Sequence, residues 1–110
     1  MALKNRNRNL LDLVLEHKWY DMIAAGEKPE EYRAHSAYWD RRIGDKVATG
    51  NLWPRVRFRR GYTSTSMTFR LTGIADGVGN PRWGAPVDPR WIIRFAPLTA
   101  NEGGGSEPCR

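Results

Sequence analysis

The segment Arg55, Val56, Arg57, Phe58, Arg59, Arg60 constrains the fold more than any other. Charged and apolar side chains alternate with a period of two, which only an extended strand can place on opposite faces. Val56 and Phe58 then point to a core, and Arg55, Arg57 and Arg59 point away from it. The same alternation recurs at Leu11, Leu13 and Leu15, at Met67, Phe69 and Leu71, and at Trp91, Ile93 and Phe95. Strands with one apolar face belong to a sheet that is buried on one side only. Glu30 to Arg33, after Pro29, reads as a further short strand, with Glu31 and Arg33 on one face and Glu30 and Tyr32 on the other.

Two helices fit between these strands. From about Lys18 to Ala25, the spacing of Trp19, Met22 and Ile23 predicts a buried stripe, and Gly26 suits a left-handed end. Ser36 can cap a second helix in which Trp39 and Ile43 pack one turn apart, with Gly44 as its expected end. Gly61 to Ser66 reads as a turn or loop, Gly73 as a bulge, and Asp76 to Pro89 as mostly loop. The expected fold class is α+β: five to six short strands in a small curled sheet or barrel, flanked by two short helices. One domain over residues 10–96 is expected, between a polar N-terminus at 1–9 and a Gly-rich tail at 97–110.

Charge narrows the partners. Eighteen Lys and Arg oppose twelve Asp and Glu, a net charge of +6, which favours a polyanion such as nucleic acid. No acid occurs between Asp45 and Asp76, a stretch that holds Arg55, Arg57, Arg59, Arg60 and Arg70. The three alternating arginines make a stripe about 14 Å long, able to track phosphates or simply to keep an outer face solvated. The single cysteine, Cys109, and two histidines, His17 and His35, suggest neither a disulfide nor a metal site, and no cofactor is expected. The apolar run after the basic start is short and is interrupted by Asp12, so neither a signal peptide nor a membrane span is expected, and the location expected is cytoplasmic.

The segment from Trp19 to Arg33 carries the most specific signal. A helix ending in Gly26, Glu27, Lys28, followed by a strand with Glu31, Tyr32, Arg33, resembles the hallmark of ASCH domains in the PUA-like superfamily. The matching positions are Gly26, Lys28, Glu31 and Arg33, and the resemblance covers roughly residues 11–95. It implies a PUA-like β-barrel with flanking helices and a cleft beside the Gly-x-Lys turn. In such a cleft Lys28 reaches a phosphate or carbonyl oxygen. Glu31 accepts from an exocyclic amine, and Arg33 donates a fork of two hydrogen bonds. The alternative is a Glu31–Arg33 ion pair that fixes the turn.

Aromatic side chains are numerous, with five tryptophans. Trp19 and Trp91 read as core, and Trp39 as core or cleft. Trp83, in a loop beside Arg82, is either a stacking platform for a base or a plug folded back on the sheet; Tyr62 has the same two readings.

The function expected is binding of nucleic acid, RNA or DNA with RNA foremost, or of a modified nucleoside, through Lys28, Glu31, Arg33, Trp39, Arg55, Arg57, Arg59, Arg60, Tyr62 and Trp83. A second reading follows from the resemblance, because some ASCH proteins deacylate acetylcytidine with a lysine from the Gly-x-Lys turn, a threonine three residues later and a distant glutamate. Lys28 matches that lysine, but Glu31 stands at the threonine position, so the catalytic pair would be Lys28 as oxyanion donor and Glu31 as base for a water. A third reading is a protein-interaction module that uses the basic face.

Overall fold

The computed structural model describes residues 9–98; the expected N-terminal and Gly-rich tail segments, including Cys109, lie outside them apart from Asn9, Pro97 and Leu98. Strand β1 (Leu10–Leu15) leads through helix α1 (His17–Ala24) to β2 (Glu30–Arg33), helix α2 (Ala37–Thr49), β3 (Arg55–Arg60), β4 (Ser66–Gly77) and β5 (Arg90–Ala96), with a 3-10 turn at Pro81–Trp83 before β5. The strands form one sheet in the order β1-β3-β4-β5-β2. β1 and β3 run parallel, with Asp12 beside Arg57, and the other neighbours are antiparallel.

The alternation read from the sequence is realised. Leu11, Leu13, Leu15, Val56, Phe58, Leu71 and Ile93 are buried on the inner face, where Tyr20 and Ile23 of α1, Ile43 of α2 and Trp53 join them. Phe58, Phe69 and Phe95 pack ring against ring, with centroids 4.9–5.8 Å apart. The α1 stripe differs from expectation: Tyr20 and Ile23 are the buried residues, whereas Trp19 is half-buried.

Gly26 ends α1 as expected, at φ +80°. Its N–H donates to the Ile23 carbonyl and that of Glu27 to the Met22 carbonyl, the paired bonds of a Schellman turn. The chain is thereby reversed just before Lys28. Ser36 caps α2 by accepting from the Trp39 N–H at 3.2 Å. Gly44, however, does not end that helix. It lies mid-helix against the Trp91 ring, and Gly50, at φ +71°, supplies the left-handed end. The bulge expected at Gly73 is present as a register shift between Leu71 and Gly73. Beyond it β4 continues to Gly77, so the strand takes in the start of the segment expected to be loop.

The fold is α+β, but the sheet does not close into the expected barrel: β1 and β2 are its edges. What joins them is a side chain. Arg33 on β2 donates from Nη2 to the Val14 carbonyl on β1, at 2.8 Å. The sheet therefore curls until its two edges are one guanidinium apart, leaving a seam where a barrel would have a ladder. On its outer face, the loop from Val78 to Ala85 folds over β5 and β2, where Tyr32, Ala85 and Ile92 form a second small core with Ala75 and Trp83.

Candidate functional site

The seam is where the motif residues meet. Lys28 follows the Schellman turn, and Glu31 and Arg33 occupy the inner face of β2, since Glu31 pairs with the inward Ile93. Lys28 is 2% exposed and Glu31 8%, so charged groups are buried here that are seldom buried unless paired. Lys28 Nζ lies 3.2 Å from Glu31 Oε1, and Arg33 Nη2 lies 3.9 Å from Glu31 Oε2. The lysine also donates to the Trp83 carbonyl, and its ammonium faces the rings of Tyr32 at 4.7 Å and Trp19 at 5.3 Å. The Arg33 guanidinium sits over the Trp39 ring at 5.5 Å.

The trio is not fully satisfied. Glu31 Oε1 is at ion-pair distance from Lys28 without the alignment of a hydrogen bond, and it and Arg33 Nε are buried without a hydrogen-bond partner. Arg33 Nε loses its hydration without a hydrogen bond in its place, at a cost of about 1–3 kcal/mol, whereas the Lys28 ammonium offsets part of that loss at Glu31 Oε1. Burial pushes Lys28 down from the ordinary lysine value, against the opposing charge of Glu31. Burial pushes Glu31 up, against the charges of Lys28 and Arg33. The two proton affinities thus move toward each other, the pattern that acid–base sites share with structural ion pairs.

Second contacts hold this cluster in place. Tyr32, on the outer face, donates to Glu30 at 2.7 Å and accepts from the Asn80 N–H at 3.1 Å, which ties the Val78–Ala85 loop to β2. Its burial pushes the phenol up to about 12. Gly84 is held at φ +97°, and a Cβ there would stand 2.9 Å from the Trp19 ring. The turn that presents the Trp83 carbonyl to Lys28 therefore packs directly on Trp19.

The remaining expected residues are placed differently. Trp39 serves both of its readings, packing on the main core and facing Arg33. The Trp83 ring packs on the second core, the plug arrangement, while its backbone meets Lys28. Tyr62 is 95% exposed on the β3–β4 turn, away from these contacts. Arg55, Arg57 and Arg59 do share the outer face, but the acid-free stretch of sequence is not acid-free in space. Asp12, on the parallel neighbour β1, holds Arg57 at 2.7 Å and Arg59 at 3.0 Å. Partial burial alone would raise the Asp12 carboxyl; the hydrogen bonds from both arginines outweigh it and hold it low. Arg60 makes a two-bonded pair with Asp21 of α1, at 2.9 and 3.0 Å. Charge counted along the chain misses both acids because they arrive through tertiary pairing. Trp19, read as core, Tyr32, read on the face opposite Glu31, and the Asn80 N–H are not among the expected site residues, because their contacts with the cluster are tertiary.

Among the described residues no group of three His, Cys, Asp or Glu is arranged to hold a metal ion, and no helix is long and apolar enough to cross a membrane. No family model matches the chain, and comparisons with curated proteins and with solved structures find no match.

Proposed function

We propose that the seam is a reader's cleft for a single-stranded nucleic acid or a modified nucleoside, RNA foremost, in a domain resembling the ASCH family. The observation that supports it is the buried trio of Lys28, Glu31 and Arg33, in which Glu31 Oε1 and Arg33 Nε lack hydrogen-bond partners and the two cations face the rings of Trp19, Tyr32 and Trp39. A base edge offers what those atoms want: an amine for the carboxylate and an acceptor for the guanidinium. Aromatic faces beside them suit stacking. The outer face of β3 carries Arg55, Arg57 and Arg59, with Asp12 beside the last two, an excess of positive charge that suits a phosphate backbone.

The test is amide chemical-shift mapping with short single-stranded RNA and with acetylcytidine. Saturable shifts centred on Lys28, Glu31, Arg33 and Trp39 are expected, with affinity reduced about tenfold in Arg33→Gln at fixed salt. Unchanged affinity in a folded Arg33→Gln variant refutes the cleft.

The converging proton affinities of Lys28 and Glu31 favour one second reading, hydrolysis of an acylated nucleoside. Glu31 takes a proton from water as the water oxygen bonds to the acyl carbon. The Lys28 ammonium offsets the charge on the carbonyl oxygen. The C–N bond then breaks, and the proton passes from Glu31 to the leaving nitrogen. Release of acetate from acetylcytidine, abolished in Lys28→Met, is the expected result; absence of turnover in the native protein removes this reading.

A further inference from the structure

A free nucleoside and a base within a strand meet the buried trio alike; what lies beside the trio tells them apart. The ring surface at the seam continues outward along α2. The Arg33 guanidinium sits over the Trp39 ring at 5.5 Å, and the Trp39 ring meets that of Tyr38 edge to face, with centroids 4.7 Å apart. Trp39 packs on the main core, whereas Tyr38 is 60% exposed and belongs to neither core cluster among the described residues. The Ser36 cap on the Trp39 N–H fixes the helical turn that carries both rings. A tyrosine held in this way offers a broad π-face at low entropic cost, since two torsions orient it.

Positive charge lies on the same side of the helix. Positions three and four beyond Tyr38 are its neighbours on the helix surface, and they are Arg41 and Arg42. Arg41 is exposed, and the Arg42 guanidinium lies over the Trp53 ring at 5.4 Å. Of the acids on α2, Asp40 is engaged by His35 and by the Trp91 indole N–H, and Asp45 stands one turn beyond Arg41.

With the seam taken as a base-reading cleft, on which this rests, we infer that Tyr38 and Arg41 form a second nucleotide subsite, so that the ligand is a single-stranded oligonucleotide rather than a free nucleoside. One base enters the seam between Glu31 and Arg33. The adjacent base of the strand stacks on the open face of Tyr38, and a phosphate of that nucleotide is drawn to Arg41. Stacking asks only for a π-face, so the second position accepts any base while hydrogen bonding in the seam selects the first.

The experiment is an NMR titration of the full chain that follows backbone amides and aromatic ring signals. The probes are the ribodinucleotides ApA, CpC, GpG and UpU, with the corresponding nucleoside 3′- and 5′-monophosphates. For the dinucleotide that binds best, saturable shifts are expected at Arg33, Trp39 and Tyr38, with affinity about fivefold or more above that of either of its monophosphates. Tyr38→Ala, with its amide spectrum otherwise retained, is expected to bring the dinucleotide down to the level of the monophosphates and to leave these unchanged. Tyr38→Phe is expected to keep the advantage, and so is Tyr62→Ala, which removes the exposed tyrosine of the β3–β4 turn. A dinucleotide that binds no more tightly than its monophosphates overturns the subsite. Full dinucleotide affinity in a folded Tyr38→Ala does the same, as do equal losses in Tyr38→Ala and Tyr62→Ala; the seam reading survives these results if Arg33→Gln still weakens every ligand. No saturable response to any probe, or full affinity in both Tyr38→Ala and Arg33→Gln, overturns the subsite and the seam reading together.

Discussion

Replacing Glu31 by Gln tests the buried trio most directly. The change keeps shape and removes the charge that faces both Lys28, at 3.2 Å, and Arg33, at 3.9 Å. Lys28 has a side chain only 1% exposed, so water cannot take over the role of the carboxylate. Breaking a buried pair from one side costs about 3–5 kcal/mol. Because the Trp83 carbonyl still accepts a hydrogen bond from the lysine, the lower end applies, about 3 kcal/mol. For a domain of this size that lowers Tm by roughly 12–24 °C. Lys28→Met, which replaces the ammonium by an apolar end against Trp19 and Tyr32, is expected to cost about 2 kcal/mol. In the double variant neither charge is left facing the other's absence, so the loss is expected to fall short of the sum by about 2 kcal/mol. Urea unfolding followed by tryptophan fluorescence reads all three variants, at constant m-value. Additivity within about 0.5 kcal/mol refutes the coupling and with it the description of the trio as a unit.

Four further outcomes are expected. Gly84→Ala places a Cβ 2.9 Å from the Trp19 ring at a positive φ, so it is expected to cost about 1–3 kcal/mol and to shift the Lys28 and Trp19 resonances; a neutral change in both refutes the packing. Asp12→Asn releases Arg57 and Arg59 to phosphates, so single-stranded RNA is expected to bind more tightly with a salt slope steeper by about 0.7–1.4; an unchanged slope argues against a role for this face. His35 lies between Asp40 and Asp76, 2.8 Å from each, and hydrogen bonds to these carboxylates raise its pKa. Its contribution to stability is therefore complete below about pH 6.5 and lost as pH rises through the raised value, while that of Asp40, held low by His35, is lost as pH falls below about 3.8; an imidazole titration midpoint at or below 6.5 refutes the clasp. Phe58→Ala, at 0% exposure beneath Phe69 and Phe95, is expected to cost about 3–5 kcal/mol in urea unfolding.

The sequence was most informative where one residue's neighbours decide its conformation. The alternation in β1, β3, β4 and β5, the Ser36 cap and the left-handed Gly26 are all local, and the structure has them. Gly44 misleads because nothing local separates a glycine inside a helix from one at its end: it lies mid-helix, where a Cβ would meet the Trp91 ring at an ordinary 4.0 Å. The far half of β4 was hidden because Gly73, Ala75 and Gly77 lack strand character and are held there by pairing with β5 across the bulge. Closure of the sheet depends on where β2 stops relative to β1, which no local pattern records. The site divides the same way. Lys28, Glu31 and Arg33 stand near one another in the chain and were legible as a group. Asp12 and Asp21, which temper the arginines of β3, come from the parallel pairing of β1 and from the packing of α1.

Asn9 and Leu98, at the two ends of the described chain, line the same cavity. The path therefore enters and leaves the domain at one spot, with the Arg33 seam about five residues away along β1. A short linker can therefore join residue 98 to residue 9, and new ends can be opened at the exposed turn around Tyr62 without cutting a strand. The same geometry lets the domain be set as a loop into a host protein, held at one pole with the seam facing outward.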